Sequence, residues 1–244
     1  MALKRTITFR GKYGSAPASS SGKRFKSTRS RTLSVRAPTY IPRRLGYNDQ
    51  ACGVPPLMRT TLTYSSGIAY FGRTLGAGTN ASYLFRGNGL YDPDYQVGGQ
   101  QPMGFDQWST LYRHYRVIGS RCTVTLGQQT RTLIALNKMG VEATTYTFDA
   151  QNSTALPGCK YSMCENNQNT GGNIKLISYG NSSAMTGFNR NEDLLSAQVT
   201  ADPGAMWYWI VTACNADSSG EYFSMNVKID YFVEFFHPQV QNMS

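Results

Sequence analysis

The stretch Met225 to Pro238, MNVKIDYFVEFFHP, decides the fold. Val227, Ile229, Tyr231, Val233 and Phe235 alternate with Asn226, Lys228, Asp230 and Glu234, and between Asn226 and Phe235 only Phe232 is out of step. A period of two sends successive side chains to opposite faces, so this is an antiparallel strand with one face on a core and the other toward water. Pro238 ends it, because proline brings no N–H to a ladder. Just upstream, Met206 to Cys214 reads MWYWIVTAC and is almost unbroken in apolar character. That is the signature of a central strand covered on both faces.

Working outward, period two recurs at Cys122, Val124 and Leu126, which alternate with Arg121, Thr123 and Thr125. Further strands are expected at Leu133 to Leu136, Ile174 to Tyr179 and Gln198 to Thr200. Toward the N-terminus, Arg59 to Tyr64 and Ile68 to Phe71 flank Ser65-Ser66-Gly67, which either bends one strand or turns between two. Ala81 to Phe85 makes another strand. Between residues 105 and 117 the period changes: Phe105, Trp108, Leu111, Tyr112 and Tyr115 recur at three- and four-residue spacing. This predicts a helix, with Asp106 as N-cap, Gly119 beyond its end and an aromatic stripe facing the core. Residues 140 to 172 are polar and read as surface loops with a short strand at Thr144 to Phe148, and Glu192 to Leu195 as a single helical turn. The expected fold is all-β: one antiparallel jelly-roll sandwich of about eight strands, with one helix inserted after the third.

The core demand is consistent with one domain, since all-β sandwiches commonly use a chain of this length as a single unit. With 16 Tyr, 11 Phe and 3 Trp the composition favours strands. Five cysteines, Cys52, Cys122, Cys159, Cys164 and Cys214, are an odd set without C-x-x-C spacing, which points to reduced thiols in an intracellular setting. No apolar signal core opens the chain and no run is long enough to span a bilayer, so neither secretion by that route nor membrane insertion is expected.

The charges divide sharply. Residues 1–44 carry Lys4, Arg5, Arg10, Lys12, Lys23, Arg24, Lys26, Arg29, Arg31, Arg36, Arg43 and Arg44 and no acid. The remaining twelve Lys and Arg face all fourteen acids, so the formal charge is +12 on the arm and −2 on the rest, for a total of +10. Such a segment buries too little apolar surface to offset its ordering entropy, so an extended or disordered basic arm is expected. Its cations suit a polyphosphate: each phosphate contact releases condensed counterions whatever the sequence. Guanidinium forks grip phosphate oxygens in a bidentate way. Phe9, Tyr13, Phe25 and Tyr40 are placed among them to stack on unpaired bases. The twelve cations are therefore the candidate nucleic-acid-binding residues, and Gly22-Lys23-Arg24-Phe25-Lys26 is also compatible with nuclear import. Residues 45–56, with Pro55 and Pro56, read as a linker, and residues 57–244 as the folded domain.

Signs of catalysis are few. His114 and His237 have no neighbouring nucleophile in sequence, and Gly98-Gly99 is not followed by Gly-Lys-Ser/Thr, so neither an enzyme nor a nucleotide cofactor is expected. No metal site is expected either. Asp92 and Asp94, on either side of Pro93, are the only candidate oxygen ligands for a hard cation at a subunit contact, against the commoner role of capping turns.

Residues 88 to 121, NGLYDPDYQVGGQQPMGFDQWSTLYRHYRVIGSR, resemble a block in capsid proteins of circular single-stranded DNA viruses that encode a replication initiator, the circovirus-like group. The matching elements are Asp92-Pro93-Asp94, the Gly98 to Asp106 stretch, and a Trp-x-x-Leu-Tyr-x-x-Tyr helix at Trp108 to Tyr115 leading into the fourth strand. The two C-terminal strands and the basic arm are similar too, although here the arm is interrupted by a neutral stretch from Gly14 to Gly22. The resemblance implies a capsid protein whose copies, about 60 in the smallest icosahedral (T=1) shell, close around single-stranded DNA with their arms inward. It also implies a virion protein that visits the host nucleus during assembly. The alternatives are the coat protein of a small RNA virus, because a basic arm does not tell DNA from RNA, and a cellular β-sandwich nucleic-acid-binding protein.

Overall fold

The computed structural model describes residues 54–71, 80–96, 100–127, 132–144, 150–163, 174–215 and 223–239. The chain divides into two units, Met1–Arg43 and Arg44–Ser244, and every described residue belongs to the second.

The described strands are β1 (Leu57–Phe71), β2 (Asn80–Arg86), β3 (Tyr112–Gly127), β4 (Thr132–Met139), β5 (Lys160–Met163), β6 (Ile174–Asn181), β7 (Ser196–Gln198), β8 (Tyr208–Asn215) and β9 (Phe223–Pro238). Three short helices accompany them: α1 (Phe105–Leu111), α2 (Ala150–Thr154) and α3 (Ser182–Thr186). One sheet runs β1-β9-β3-β6, with β7 pairing β3 off that path, and the other runs β2-β8-β4-β5. All pairs are antiparallel. In each sheet the late strand, β9 or β8, lies between two strands from earlier in the chain. That interleaving is the nested Greek-key order of a jelly roll.

The alternation in β9 places Val227, Ile229, Tyr231, Val233 and Phe235 in the core, none more than 1% exposed. They meet Cys122, Val124 and Leu126 of β3 and Leu62 and Tyr64 of β1 on the same side of their sheet. Facing them from the other sheet are Phe85, Ile134, Leu136, Trp209 and Val211. Trp209 through Cys214 are buried without a break, so β8 is covered on both sides. The outer cover is a second cluster in which Leu84, Tyr208 and Ile210 pack with Ala143, Met139 and Leu156. The described parts of this stretch, expected to be surface loop, are a 3-10 turn at Val141–Thr144 and α2, and Ala143 and Leu156 from them and their flank cover β8. Of the strand expected at Thr144 to Phe148, only Thr144 is described, and it ends that turn.

The helix expected over residues 105–117 is shorter. It stops at Leu111, and Tyr112 takes an extended conformation (φ −130°, ψ 149°) to begin the long strand β3. Tyr115, Arg116 and the end of the Trp-x-x-Leu-Tyr-x-x-Tyr motif are therefore strand residues. The three- and four-residue spacing persisted because Phe105 of the helix and Tyr115 of the strand converge on one place. Their rings lie edge to face at 5.6 Å, and both also pack on Phe235. Asp106 sits in the first turn, while the N-cap is Gly104, whose φ of +85° suits glycine. Arg59 to Tyr64 and Ile68 to Phe71 are one strand with a register shift between Ser65 and Ile68, so α1 follows the second strand and not the third.

Candidate nucleic-acid interface

The twelve cations of the arm, Lys4 through Arg44, lie outside the described residues. What is described is the outward face of the β1-β9-β3-β6 sheet, and it is strongly patterned. Because facing residues of adjacent strands share a side, the register sorts this face into rows. One row is Arg59, Glu234 and Arg116; the next is Thr61, Phe232, Gly119 and Asn181. Beyond these come Thr63, Asp230, Arg121 and Tyr179, and then Ser65, Lys228, Thr123 and Ile177.

Two carboxylates are sunk into this face and surrounded by cations. Glu234 is only 2% exposed. Arg59 Nε donates to its Oε1 at 2.8 Å, Arg190 Nη2 donates to the same oxygen, and Arg116 Nε lies 3.5 Å from Oε2. Arg116 also donates from Nη1 to Asn191 Oδ1 at 3.2 Å, tying the loop after α3 to the sheet. Asp230 receives Arg121 Nε at 3.0 Å and Thr63 Oγ1 at 2.8 Å, with Lys228 Nζ 3.5 Å away. Burial pushes the Asp230 carboxyl upward, but the Arg121 and Thr63 hydrogen bonds and the Lys228 charge outweigh it and leave the group below its ordinary value.

Among the described outward positions of these four strands stand five cations, Arg59, Arg116, Arg121, Lys175 and Lys228, against the two acids. The acids are hidden while the Arg59, Arg121 and Lys228 side chains remain 66%, 41% and 48% exposed. The solvent side of the face is therefore cationic. Sequence reading counted these residues among the balanced charges of the body, because burial, and not composition, separates the two signs. The one available signal was the polar face of the last strand, where Lys228, Asp230 and Glu234 recur two or four apart.

Asp92 and Asp94 are directed to different partners. Asp92 Oδ2 pairs with Arg86 Nη1 at 3.0 Å, and Arg86 Nε lies 3.3 Å from Asp202 Oδ2. Asp94 Oδ1 accepts from the Gln96 N–H at 2.8 Å, capping a turn. The Asp-Pro-Asp segment also returns along β2: the Arg86 N–H donates to Pro93 O at 2.8 Å and the Tyr95 N–H to Leu84 O at 3.2 Å. It thus covers the free edge of β2, an end strand of its sheet, and so protects an edge that invites pairing with other chains.

His114 and His237, far apart in sequence, face one another with Nδ1 atoms 3.2 Å apart. A hydrogen bond there requires one imidazole to hold the proton and the other to accept it. His114 is stacked on Phe236, with ring centroids 5.7 Å apart. No helix among the described residues is long and apolar enough to cross a membrane.

Fold and face together define a jelly-roll domain with one cationic sheet surface. No family model and no curated protein matches the chain. Several solved structures overlap it. A structure of turnip yellow mosaic virus at 100 K has 8% identity and a TM-score of 0.45 and covers 78% of this chain and 99% of its own. The decameric BFDV capsid protein has 13% identity and a TM-score of 0.40, with coverage of 74% and 99%. Tobacco necrosis virus has 9% identity and a TM-score of 0.43, with coverage of 75% and 97%. Overlaps at this level carry no argument about function, and the fold stands on the strand order.

Proposed function

We propose that this chain is a viral capsid protein that assembles into a small closed shell and packages single-stranded nucleic acid with its N-terminal arm. The observation that carries the reading is the union of a jelly roll of order β1-β9-β3-β6 over β2-β8-β4-β5 with twelve cations ahead of β1. A jelly roll by itself also serves lectins and small-molecule enzymes, so the arm decides between them. The charge division suits the role. A body of formal charge −2 avoids the self-repulsion that a uniformly basic protein meets when its copies crowd together. About 60 copies, closing by symmetry, bring on the order of 720 arm cations to one strand carrying one charge per nucleotide. Each arm binds weakly, and display on one inner surface makes the collective grip strong through effective concentration.

In this reading residues 1–44 bind nucleic acid, 45–56 link, and 57–244 build the shell. The protein is structural and not an enzyme, resides in the virion and uses the nuclear import machinery of its host. The resemblance of residues 88–121 to circovirus-like capsids favours DNA as the cargo.

The test is electron microscopy of the purified protein with nuclease digestion of its cargo. Uniform particles holding DNase-sensitive, RNase-resistant nucleic acid after opening are expected. RNA in the particles moves the reading to an RNA virus, and monomers that bind single strands move it to a cellular protein. Removing residues 1–44 is expected to abolish packaging, and equal nucleic-acid content in the truncated particles overturns the arm's role.

A further inference from the structure

We propose that the outward face of the β1-β9-β3-β6 sheet is a second, built binding site for single-stranded nucleic acid, separate from the arm. Bases stack on Phe232, and phosphates lie against the Arg59/Arg190 cluster on one side and the Arg121/Lys228 cluster on the other. The inference rests on the reading that the protein packages single-stranded nucleic acid.

Phe232 breaks the alternation of β9 and stands on the polar face, 39% exposed. Its neighbours across the sheet are Thr61 on β1 and Gly119 on β3. Thr61 is exposed on one side, and on the other Gly119, at the register shift in β3, is buried and has no side chain to cover the ring. Gly119 cannot grow, because a Cβ there would meet Gly180 O at 2.5 Å. An exposed ring between small residues is a stacking platform that accepts any base.

The cation clusters are placed at either end of that platform. Glu234 and Asp230 lie two residues on either side of Phe232, on the same face. At about 3.4 Å per residue the two carboxylates are about 14 Å apart along the strand. That is the rise of about four stacked nucleotides at ~3.4 Å each. Each acid holds one edge of its arginine in place, and Tyr179 makes a further side-chain hydrogen bond with Arg121, so the guanidinium groups are fixed at the surface where phosphates would lie. Arg59 gives Nε to Glu234, and Arg121 gives Nε and Nη2 to Asp230. Holding a long side chain in place beforehand reduces the ordering cost of binding. Tyr179, 58% exposed beside Arg121, extends the aromatic surface. Excess positive charge with an aromatic between cations fits a polyanion that carries rings, and a protein partner would need matching acids and an apolar pocket for the same contact.

Full-length protein is irradiated with a 20-mer oligodeoxythymidine containing 5-iodouracil, and the adducts are mapped by mass spectrometry. Adducts are expected on the arm and also on Phe232 or Tyr179. Independently, Arg59→Gln with Lys228→Gln is expected to flatten the dependence of log K on log salt by about 1.4, two cations at ~0.7 each. Phe232→Leu is expected to weaken binding about tenfold and to remove its adduct. Both arrangements keep the fold: Glu234 retains Arg116 and Arg190, and Asp230 retains Arg121. A thermal melt checks this. Adducts confined to residues 1–44 with an unchanged salt slope overturn the proposal and leave the arm's role intact. Adducts on the sheet face alone uphold this site and overturn the arm's role, and no binding at all overturns both.

Discussion

The indole of Trp207 occupies the place where a side chain of Gly180 would be: a Cβ built on Gly180 falls 2.2 Å from Cη2. Trp207 lies just ahead of β8 in one sheet, and Gly180 is in β6 of the other. A Cβ on Gly87, after β2, would likewise fall 2.4 Å from the same ring. The indole Nε1 donates to Ser182 Oγ at 3.2 Å, and the ring meets Trp209 edge to face at 5.0 Å. The two sheets are thus pinned through one residue that only glycine can accommodate.

Gly180→Ala should therefore cost about 1–3 kcal/mol, the usual penalty for overpacking a tight interior. Equilibrium denaturation reads the loss. Gly187→Asn is the control: its φ of +77° suits Asn and nothing lies within 4 Å of a Cβ there. A midpoint for Gly180→Ala equal to that of the control would show that Trp207 moves freely.

Asn88 fastens the loops above this pin. It is fully buried, donates from Nδ2 to Ala205 O at 2.8 Å and accepts the Trp207 N–H at 3.1 Å. Asn88→Ala leaves both backbone groups without partners at about 1–3 kcal/mol each. The expected result is a lowered melting temperature with an unchanged strand signal in circular dichroism at low temperature.

Asp230 makes acid stability depend on the sheet face. Its carboxyl lies below the ordinary 3.8, so the stability it confers is present above that pH and is lost as pH falls through its lower folded value. Unfolding midpoints measured downward from neutral pH should drop in the wild type below about pH 4. Asp230→Asn should be less stable near neutrality and show a shallower drop in that range.

His114 acts in a different window. Burial lowers it from the ordinary 6.5, and the charges of His237 and Arg113 add to the effect. The folded state therefore takes up the proton less readily than the unfolded chain, and stability falls as pH drops below 6.5. His114→Phe keeps a ring against Phe236 and removes the titration, so its midpoint should be flatter over that range. An identical slope in the two proteins would assign the effect elsewhere.

The strands were legible wherever a core lay on one side only. Val227, Ile229, Tyr231, Val233 and Phe235 alternate because the core lies on one face only, and each of them is buried, whereas on the other face Asp230 and Glu234 are buried under their cations against the pattern. Met206 to Cys214 read as covered on both sides, and Ala143, Met139 and Leu156 supply the second cover. The end of α1 was not legible. Its aromatic spacing ran on through Tyr112 and Tyr115 because a helix and a strand that converge on Phe235 can share one periodicity. Only the pairing of β3 with β9 turns Tyr112 into a strand residue.

By itself the sequence determined the two-sheet class, the separation of a basic arm from a nearly neutral body, and the core face of the last strand. These are properties of local periodicity and of charge counted along the chain. Tertiary structure alone decided which acids are buried and which cations remain exposed. Arg59 and Glu234 are 175 residues apart and meet only because β1 and β9 pair. That pairing and the one between β9 and β3 hide Glu234 and Asp230 and leave a positive sheet face.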